Sequence, residues 1–385
     1  MKILIVAPYS SLPGDNYVSR FAHLAECCAQ RGHEVTLATG EFSHNLKAFH
    51  SNEKVYFGNK LAVRLVKNRA YKSHFGLQRI LSIRDFNRNI QSAFADLSEF
   101  DVIYSAFPNI GHNLRIAKGR CRQRTAFIID VQDVWPESFS AVLPLVNSIP
   151  RGIIPFARSA NAAYAAADSL VAVSRTYIER AKLANPSAPS LVAYLGSEFR
   201  MVDTVPEANC ATRLFYIGTL SYSYDLETVI RAVHLLSAKG HAIEFNIFGD
   251  GPDREKLQNM PHLGTCFRGR LPYRELESEL RKQHIAVNSI KQDAPQSVTN
   301  KLCDYLALGC PILNSQEGDE VIDLVSKRLH RNYVAGDVSS VTKCIESLTL
   351  DEALFETWRA DRKFSRNAIS IKIIDFIEAN AVGVG

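Results

Sequence analysis

The stretch Ser289–Ser315, SIKQDAPQSVTNKLCDYLALGCPILNS, reads as strand, loop, helix and strand. Ile285–Ile290, which leads into it, is an apolar run with the length of a buried strand. Lys291–Ser297 carries Pro, Asp and Gln and reads as a loop. Thr299 or Asn300 is suited to N-cap a helix that carries Leu302, Tyr305, Leu306 and Leu308. Gly309 ends that helix, Pro311 blocks its continuation, and Ile312-Leu313 begins the next strand. A loop that runs onto a helix N-terminus at the carboxyl edge of a parallel sheet is an anion and nucleotide site. Lys301 in the first turn and Asp304 near it supply one cation and one carboxylate for a phosphorylated, hydroxylated ligand. On pattern alone, an ordinary αβ unit with a solvated Lys and Asp is the simpler reading.

The same rhythm runs through most of the chain. Ile3–Ala7, Glu34–Thr39, Asp101–Ser105, Thr125–Asp130, Ser169–Val173 and Leu191–Leu195 read as strands separated by helical segments. Glu198–Thr212 lacks periodicity and reads as a linker. The rhythm then restarts with strands at Leu214–Ile217, Ala242–Phe248 and Thr265–Phe267. The expected architecture is α/β, with two doubly wound Rossmann-like domains facing across a cleft. Their expected bounds are 1–197 and 213–365, with a linker at 198–212 and a terminal helical segment at 366–385. The first loop, Ser10–Asn16, has one glycine, so a dinucleotide fingerprint is absent.

A chain of 385 residues with 46% apolar and 22% charged residues has the makings of a substantial core. Its charge is uneven. Residues 1–204 hold 24 Lys+Arg against 16 Asp+Glu, and residues 205–385 hold 21 against 24. A net +8 in the first part suggests an anionic partner there. The eight cysteines form no CxxC pair and no His/Cys cluster with zinc-ligand spacing, so no metal is expected. Reduced core cysteines fit a cytoplasmic protein. No apolar run is long enough to span a bilayer, so any membrane association is expected to be peripheral.

Between Lys60 and Arg88, eight basic residues face Asp85 alone and are interleaved with Leu65, Tyr71, Phe75, Ile80 and Phe86. Three readings compete: an amphipathic segment on an anionic membrane, nucleic-acid binding, and a core-packed helix with a solvated basic face. The last is the default for any one helix. No nucleic-acid module is visible, so no nucleic-acid partner is expected. His44 and Lys47 follow the second strand, and Asp130, Asp133 and Trp135 follow the fourth. Strand carboxyl ends are where ligands bind in such sheets. A polar surface loop around His44 and a structural strand-end Asp130 are the plain alternatives.

Tyr216–Leu220, Phe248–Pro252 and Asn300–Pro311, with Arg31–Thr36 and Asp130–Ser138, together resemble retaining GT-B glycosyltransferases of family 4. The resemblance covers nearly the whole chain and is nearest to enzymes of bacterial capsule and O-antigen synthesis. It implies that Asp304 binds the nucleotide ribose and that Gln296, where relatives carry an acid, touches the transferred sugar. It implies that Thr299, Asn300 and Lys301 meet the diphosphate, and that Gly218, Thr219 and Gly249 are donor-binding. Thr219 and Tyr224 stand where many relatives carry an Arg and a Lys, so the leaving-group charge falls to Lys301, Lys291 or Arg270. Arg268–Leu271 resembles the segment that lines the base pocket. Gly14, Asn16, His44, Lys47 and Arg79 are implied on the acceptor side. Asp130 and Asp133 are the acids left to orient or deprotonate the acceptor hydroxyl, and the terminal helix crosses back to the first domain.

The expected activity is a retaining, metal-independent glycosyl transfer from a nucleotide sugar, with UDP as the expected carrier. The expected acceptor is a polyprenyl-diphosphate-linked saccharide at the inner face of the cytoplasmic membrane. Two rivals share the fold: a UDP-sugar 2-epimerase, which needs no acceptor, and a non-catalytic nucleotide-sugar-binding partner protein.

Overall fold

The computed structural model describes residues 1–13, 15, 19–44, 46–50, 54–56, 60–72, 76–136, 156–199, 211–292, 294, 298–326, 330–348 and 362–381. The chain divides into two compact units: Met1–Leu195 with Arg366–Gly385, and Gly196–Ser365.

The first unit holds strands β1 (Lys2–Val6), β2 (Glu34–Gly40), β3 (Lys54–Tyr56), β4 (Leu61–Val66), β5 (Val102–Phe107), β6 (Ala126–Val131), β7 (Ser169–Ala172) and β8 (Ser190–Val192). They form one sheet in the order β3-β4-β2-β1-β5-β6-β7-β8, parallel except for β3. Its helices are α1 (Arg20–Gln30), α2 (Leu77–Ser92), α3 (Ile110–Gly119), α4 (Ala157–Ala166) and α5 (Arg175–Lys182). The central strands are continuous apolar runs because helices cover both faces. Ile3 and Ile5 point to the α1 side, and Leu4 and Val6 to the side of α2, α3, α4 and α5.

The second unit holds β9 (Thr212–Ile217), β10 (Ile243–Phe248), β11 (Thr265–Gly269), β12 (Ile285–Asn288), β13 (Ile312–Asn314) and β14 (His330–Asn332), all parallel, in the order β11-β10-β9-β12-β13-β14. Its helices are α6 (Leu226–Ala238), α7 (Arg254–Gln258), α8 (Tyr273–Leu280), α9 (Asn300–Leu308), α10 (Asp319–Ser326) and α11 (Val338–Glu346). A last helix, α12 (Arg366–Ala379), belongs to the first unit. Ile369, Ile373, Ile374 and Ile377 of α12 are buried in the α1-side core. Arg31, just after α1, bonds Asp375 and Glu378 at 2.8 and 3.0 Å.

The basic stretch 60–88 proves to be two elements. Lys60–Val66 enters the sheet as β4, and α2 begins only at Leu77. Phe86 and Ile90 of α2 are fully buried in the core, whereas Leu77 and Ile80 are 70% and 62% exposed. The core-packed reading holds for one side of α2, and the other side carries exposed Arg84 and Arg88.

Strand order dictates where a ligand can sit. In the first unit β1 lies between β2 and β5, and in the second β9 lies between β10 and β12. Connections leave in opposite directions at these points, which opens a crevice at the carboxyl ends of the strands.

Candidate functional site

At the crevice of the second unit, α9 starts where the sequence places it. Thr299 is the N-cap, and its hydroxyl accepts from the Leu302 amide at 3.2 Å. Gly309 closes the helix with φ 71°, a left-handed conformation that suits glycine. Leu302, Cys303, Leu306 and Tyr305 bury the inner face, and the Tyr305 hydroxyl accepts from the Ile217 amide of β9 at 3.1 Å. This packing fixes the helix N-terminus beside the end of β9. The amides of Asn300 and Lys301 have no partner among the described residues.

From there Lys301 reaches back to β9. Its Nζ donates to Tyr216 Oη at 2.7 Å and lies 3.0 Å from the centre of the Tyr224 ring. Burial pulls its pKa down to about 6, because a desolvated ammonium loses its hydration. Gly218, with φ 127°, makes room: a Cβ there would lie 3.0 Å from Lys301 Cδ. The next loop is as tight. A Cβ on Gly249 would lie 1.8 Å from the Gly218 carbonyl oxygen, and one on Gly251 would lie 2.2 Å from that of Leu220. These glycines let two strand-end loops touch backbone to backbone, which exposes main chain at the edge.

The other expected donor-side residues are dispersed around this edge. Asp304 is half-buried on α9, Asn300 and Thr219 are exposed, and Leu271 is half-buried. Arg270 is exposed, while Arg268 is tied to the sheet through Asn246 at 2.7 Å and Glu244 at 2.9 Å. Lys291 does not join Lys301. It is exposed and lines a separate pocket of about 230 Å³ with Tyr224, Glu227 and Lys256. Gln296 lies outside the described residues.

In the first unit, three expected residues converge. His44 Nδ1 is 2.6 Å from Tyr71 Oη, Lys47 Nζ sits 4.9 Å over the Tyr71 ring, and Arg79 lies 5.7 Å over Tyr9. Burial pushes the Tyr71 hydroxyl up to about 12. The Tyr9 hydroxyl is also raised by burial, with Arg79 opposing. Asn68 anchors the His44 loop: its Oδ1 accepts from the Phe42 amide at 2.9 Å and its Nδ2 donates to Ser82 on α2 at 3.0 Å. Gly14 and Asn16 lie outside the described residues.

Asp130 is corrected. It is 0% exposed, and it accepts from Arg20 at 3.0 Å, Tyr104 at 2.7 Å and Gln132 at 2.6 Å. Arg20 continues to the Tyr194 and Ala193 carbonyls at 2.6 and 2.9 Å. This is a buried ion pair that ties α1 to the sheet, and not an exposed acid. Asp133 is half-buried, and its carboxylate accepts from the Val134 amide at 2.8 Å. Among the described residues no group of three His, Cys, Asp or Glu is arranged to hold a metal.

Sequence reading named Tyr216, Tyr224 and Tyr71 but placed none of the tyrosines beside Lys301 or His44. Tyr216 and Tyr224 around Lys301, and Tyr9 and Tyr71 around His44, sit in unremarkable apolar or loop contexts. No periodicity separates them from core aromatics.

Residues 211–351 match the family model described as Glycosyl transferases group 1. No curated protein matches the sequence. Among solved structures, the sucrose-phosphate synthase from Thermosynechococcus elongatus superposes with a TM-score of 0.69 at 13% identity, over 98% of both chains. HepE of Anabaena, in complex with UDP and glucose, gives 0.61 at 14% identity, over 98% of this chain and 100% of that one. WaaG, a glycosyltransferase involved in lipopolysaccharide biosynthesis, gives 0.62 at 13% identity over 100% of both. The fold is α/β with two parallel-sheet Rossmann-like domains, the GT-B type of these structures.

Proposed function

We propose that this protein is a retaining glycosyltransferase that moves a sugar from a UDP-sugar to a lipid-linked saccharide in surface polysaccharide synthesis. The observation that carries the reading is Lys301 beside the open N-terminus of α9, at the strand-order switch of the domain that matches group 1 glycosyl transferases. A cation and unpaired amides at one point suit a diphosphate. Glycine-opened main chain at the ends of β9 and β10 suits close approach of a nucleotide. The UDP seen in HepE supports a uridine nucleotide.

In this reading Asp304 binds the ribose, and Thr219, Gly218, Gly249 and Leu271 border the nucleotide. Lys301 and the α9 amides receive the charge that grows on the leaving diphosphate. Each such stabiliser typically lowers a barrier by about 3 kcal/mol. No metal is needed for that role. The donor phosphate itself assists attack from the same face, which keeps the anomeric configuration. The His44–Tyr71–Arg79 cluster binds the acceptor. Asp133 is the acid proposed to orient the acceptor hydroxyl, since Asp130 is committed to Arg20.

The proposed membrane face lies on the first unit. A groove of about 630 Å³ between α2 and α3 combines Arg84, Arg88, Arg115 and Lys118 with apolar Ile80 and Leu114. No described helix is long and apolar enough to cross a bilayer, so the proposed attachment is peripheral, on the cytoplasmic side, through anionic lipid headgroups.

The direct test incubates purified protein with UDP-sugars and synthetic polyprenyl-diphosphate saccharides and reads product mass. We expect a product one sugar heavier, lost in Lys301→Met and reduced at least tenfold in Asp304→Ala. An Asp304→Ala enzyme with unchanged transfer rejects the ribose assignment. Conversion of the UDP-sugar without acceptor supports an epimerase instead.

A further inference from the structure

Among the described residues, Lys301 is a part-buried cation with no anionic partner. The buried guanidiniums of Arg20 and Arg120 each meet a carboxylate, Asp130 and Asp168. Lys301 meets only aromatic groups. Its Nζ donates to Tyr216 Oη at 2.7 Å, and that hydroxyl donates onward to the Thr219 carbonyl at 2.7 Å. The hydroxyl hydrogen is thus spent, and a lone pair faces the lysine. The Tyr224 ring centre lies 3.0 Å from Nζ and the Tyr216 ring centre 4.7 Å, with the rings 64° apart in plane. Such faces attract a cation through the ring quadrupole, yet they carry no net charge.

Among the described residues, the surroundings contain no compensating anion. Burial raises the hydroxyls of Tyr216 and Tyr305 far above their ordinary value, so both are neutral phenols. Asp304, three residues along α9, has contacts of its own, and burial alone sets the direction of the Lys301 shift. Asp225 behind Tyr224 is occupied by Thr228 at 2.7 Å and by the Gly336 amide at 2.8 Å. Glu227 in the pocket beyond Tyr224 is held by Lys256 at 2.9 Å and Arg231 at 2.6 Å. Lys291 and Asp253 line that same pocket.

We propose that Tyr216 and Tyr224 are positioning residues that hold Lys301 at the α9 N-terminus without a counter-ion, so that the donor's diphosphate supplies the missing charge and proton uptake accompanies its binding. This rests on the reading of the second unit as a nucleotide-sugar site. The direction follows from the environment. An amine stripped of water and given no anion favours its neutral form, and a diphosphate beside it favours the ammonium. In the empty protein burial has drawn Lys301 down to about 6, so much of it is neutral at pH 7.5. A purely structural tyrosine would not tie ligand affinity to pH.

The experiment is calorimetry of UDP binding at pH 7.5 in two buffers of different ionisation enthalpy. We expect uptake of close to one proton per UDP by linkage. Lys301→Arg, whose guanidinium stays charged, binds UDP without uptake. Tyr224→Leu retains the fold, binds UDP about tenfold more weakly and takes up a clearly smaller fraction of a proton. UDP binding with no uptake in the unaltered protein overturns the proposal, as does a Tyr224→Leu variant with unchanged affinity and uptake. Absence of UDP binding removes the donor-site reading, and then the cage is judged alone. The Lys301 side-chain carbon signal in lysine-labelled protein, assigned with Lys301→Arg, must titrate well below the ordinary lysine range. A signal that titrates near 10.4, the ordinary lysine value, rejects the cage as well.

Discussion

Fully buried Asp130 and part-buried Lys301 show opposite uses of a charge drawn out of water. Asp130 has its partner, so removing it strands Arg20 among carbonyls and core side chains. We expect Asp130→Asn to destabilise the first unit by about 3 kcal/mol, read by urea unfolding, because breaking a buried pair leaves an uncompensated charge. Lys301 has no such partner among the described residues, so its removal should have the reverse effect on the empty protein. Its folded pKa is depressed to about 6, below the lysine value in an unfolded chain. The unfolded state therefore binds more protons between these values, and stability is lost as pH falls through that window. Lys301→Met is expected to raise the melting temperature at neutral pH while abolishing UDP binding, a stability-for-function exchange. A lower melting temperature would show that the lysine holds the site together. Residue types at these positions were legible in the sequence, since Lys301 and Asp304 stand in the first turns of a capped helix. The direction in which Lys301 points was not. Its contact with Tyr216 spans 85 residues and depends on how α9 packs across β9.

At the scale of elements, the parallel strands were easy to read because both faces are covered, which turns each into an unbroken apolar run. The strands that escaped were those the pattern cannot mark. β4 carries Arg64 within LAVRLV, β14 is the polar His330–Asn332, and β3 is a short antiparallel edge. Edge strands are half-exposed and keep polar residues. The caps were more legible than the strands. Thr299→Ala removes the bond to the Leu302 amide and should cost about 1 kcal/mol of stability. UDP binding should weaken with it, since α9 presents the proposed anion site. α3 carries a different dependence. His112 is fully buried against Ser105 at 2.9 Å, and burial pulls its pKa down to about 3. An unfolded chain binds the proton near pH 6.5, so this histidine's contribution is intact above that value and is lost as pH falls toward 3. Urea unfolding between pH 6.5 and 4.5 should show a slope that is shallower in His112→Gln, by up to about 1.4 kcal/mol per pH unit. Equal slopes would show that His112 does not titrate on unfolding.

For the whole molecule, part of the positive charge of residues 1–204, Arg84, Arg88, Arg115 and Lys118, gathers in the α2–α3 groove. Replacing Arg84, Arg88 and Arg115 by Gln should weaken binding to vesicles containing anionic lipid, with the largest loss at low salt. Unchanged sedimentation with vesicles would return these side chains to an ordinary solvated surface. Neutral vesicles should bind neither protein. The uneven charge was visible from composition, but its grouping was not, because Arg115 and Lys118 come from α3 and join Arg84 and Arg88 only through helix packing.

The placement of α12 bears on the order in which the chain is made. Its buried isoleucines complete the core beneath α1, although some 170 residues of the other unit are synthesised in between. On the ribosome the second unit can close as soon as its own residues emerge, whereas the first must wait for the segment that follows it. Until then the part of the α1-side core that these isoleucines cover is exposed, a surface prone to association. A stop codon after Ser365 should accordingly leave the second unit able to fold and bind UDP while the first collects in the insoluble fraction. Ile373→Ala, a milder version of the same lesion, should lower the first unit's stability by about 2–4 kcal/mol. Translation thus delivers the second unit finished before the unit that precedes it in sequence.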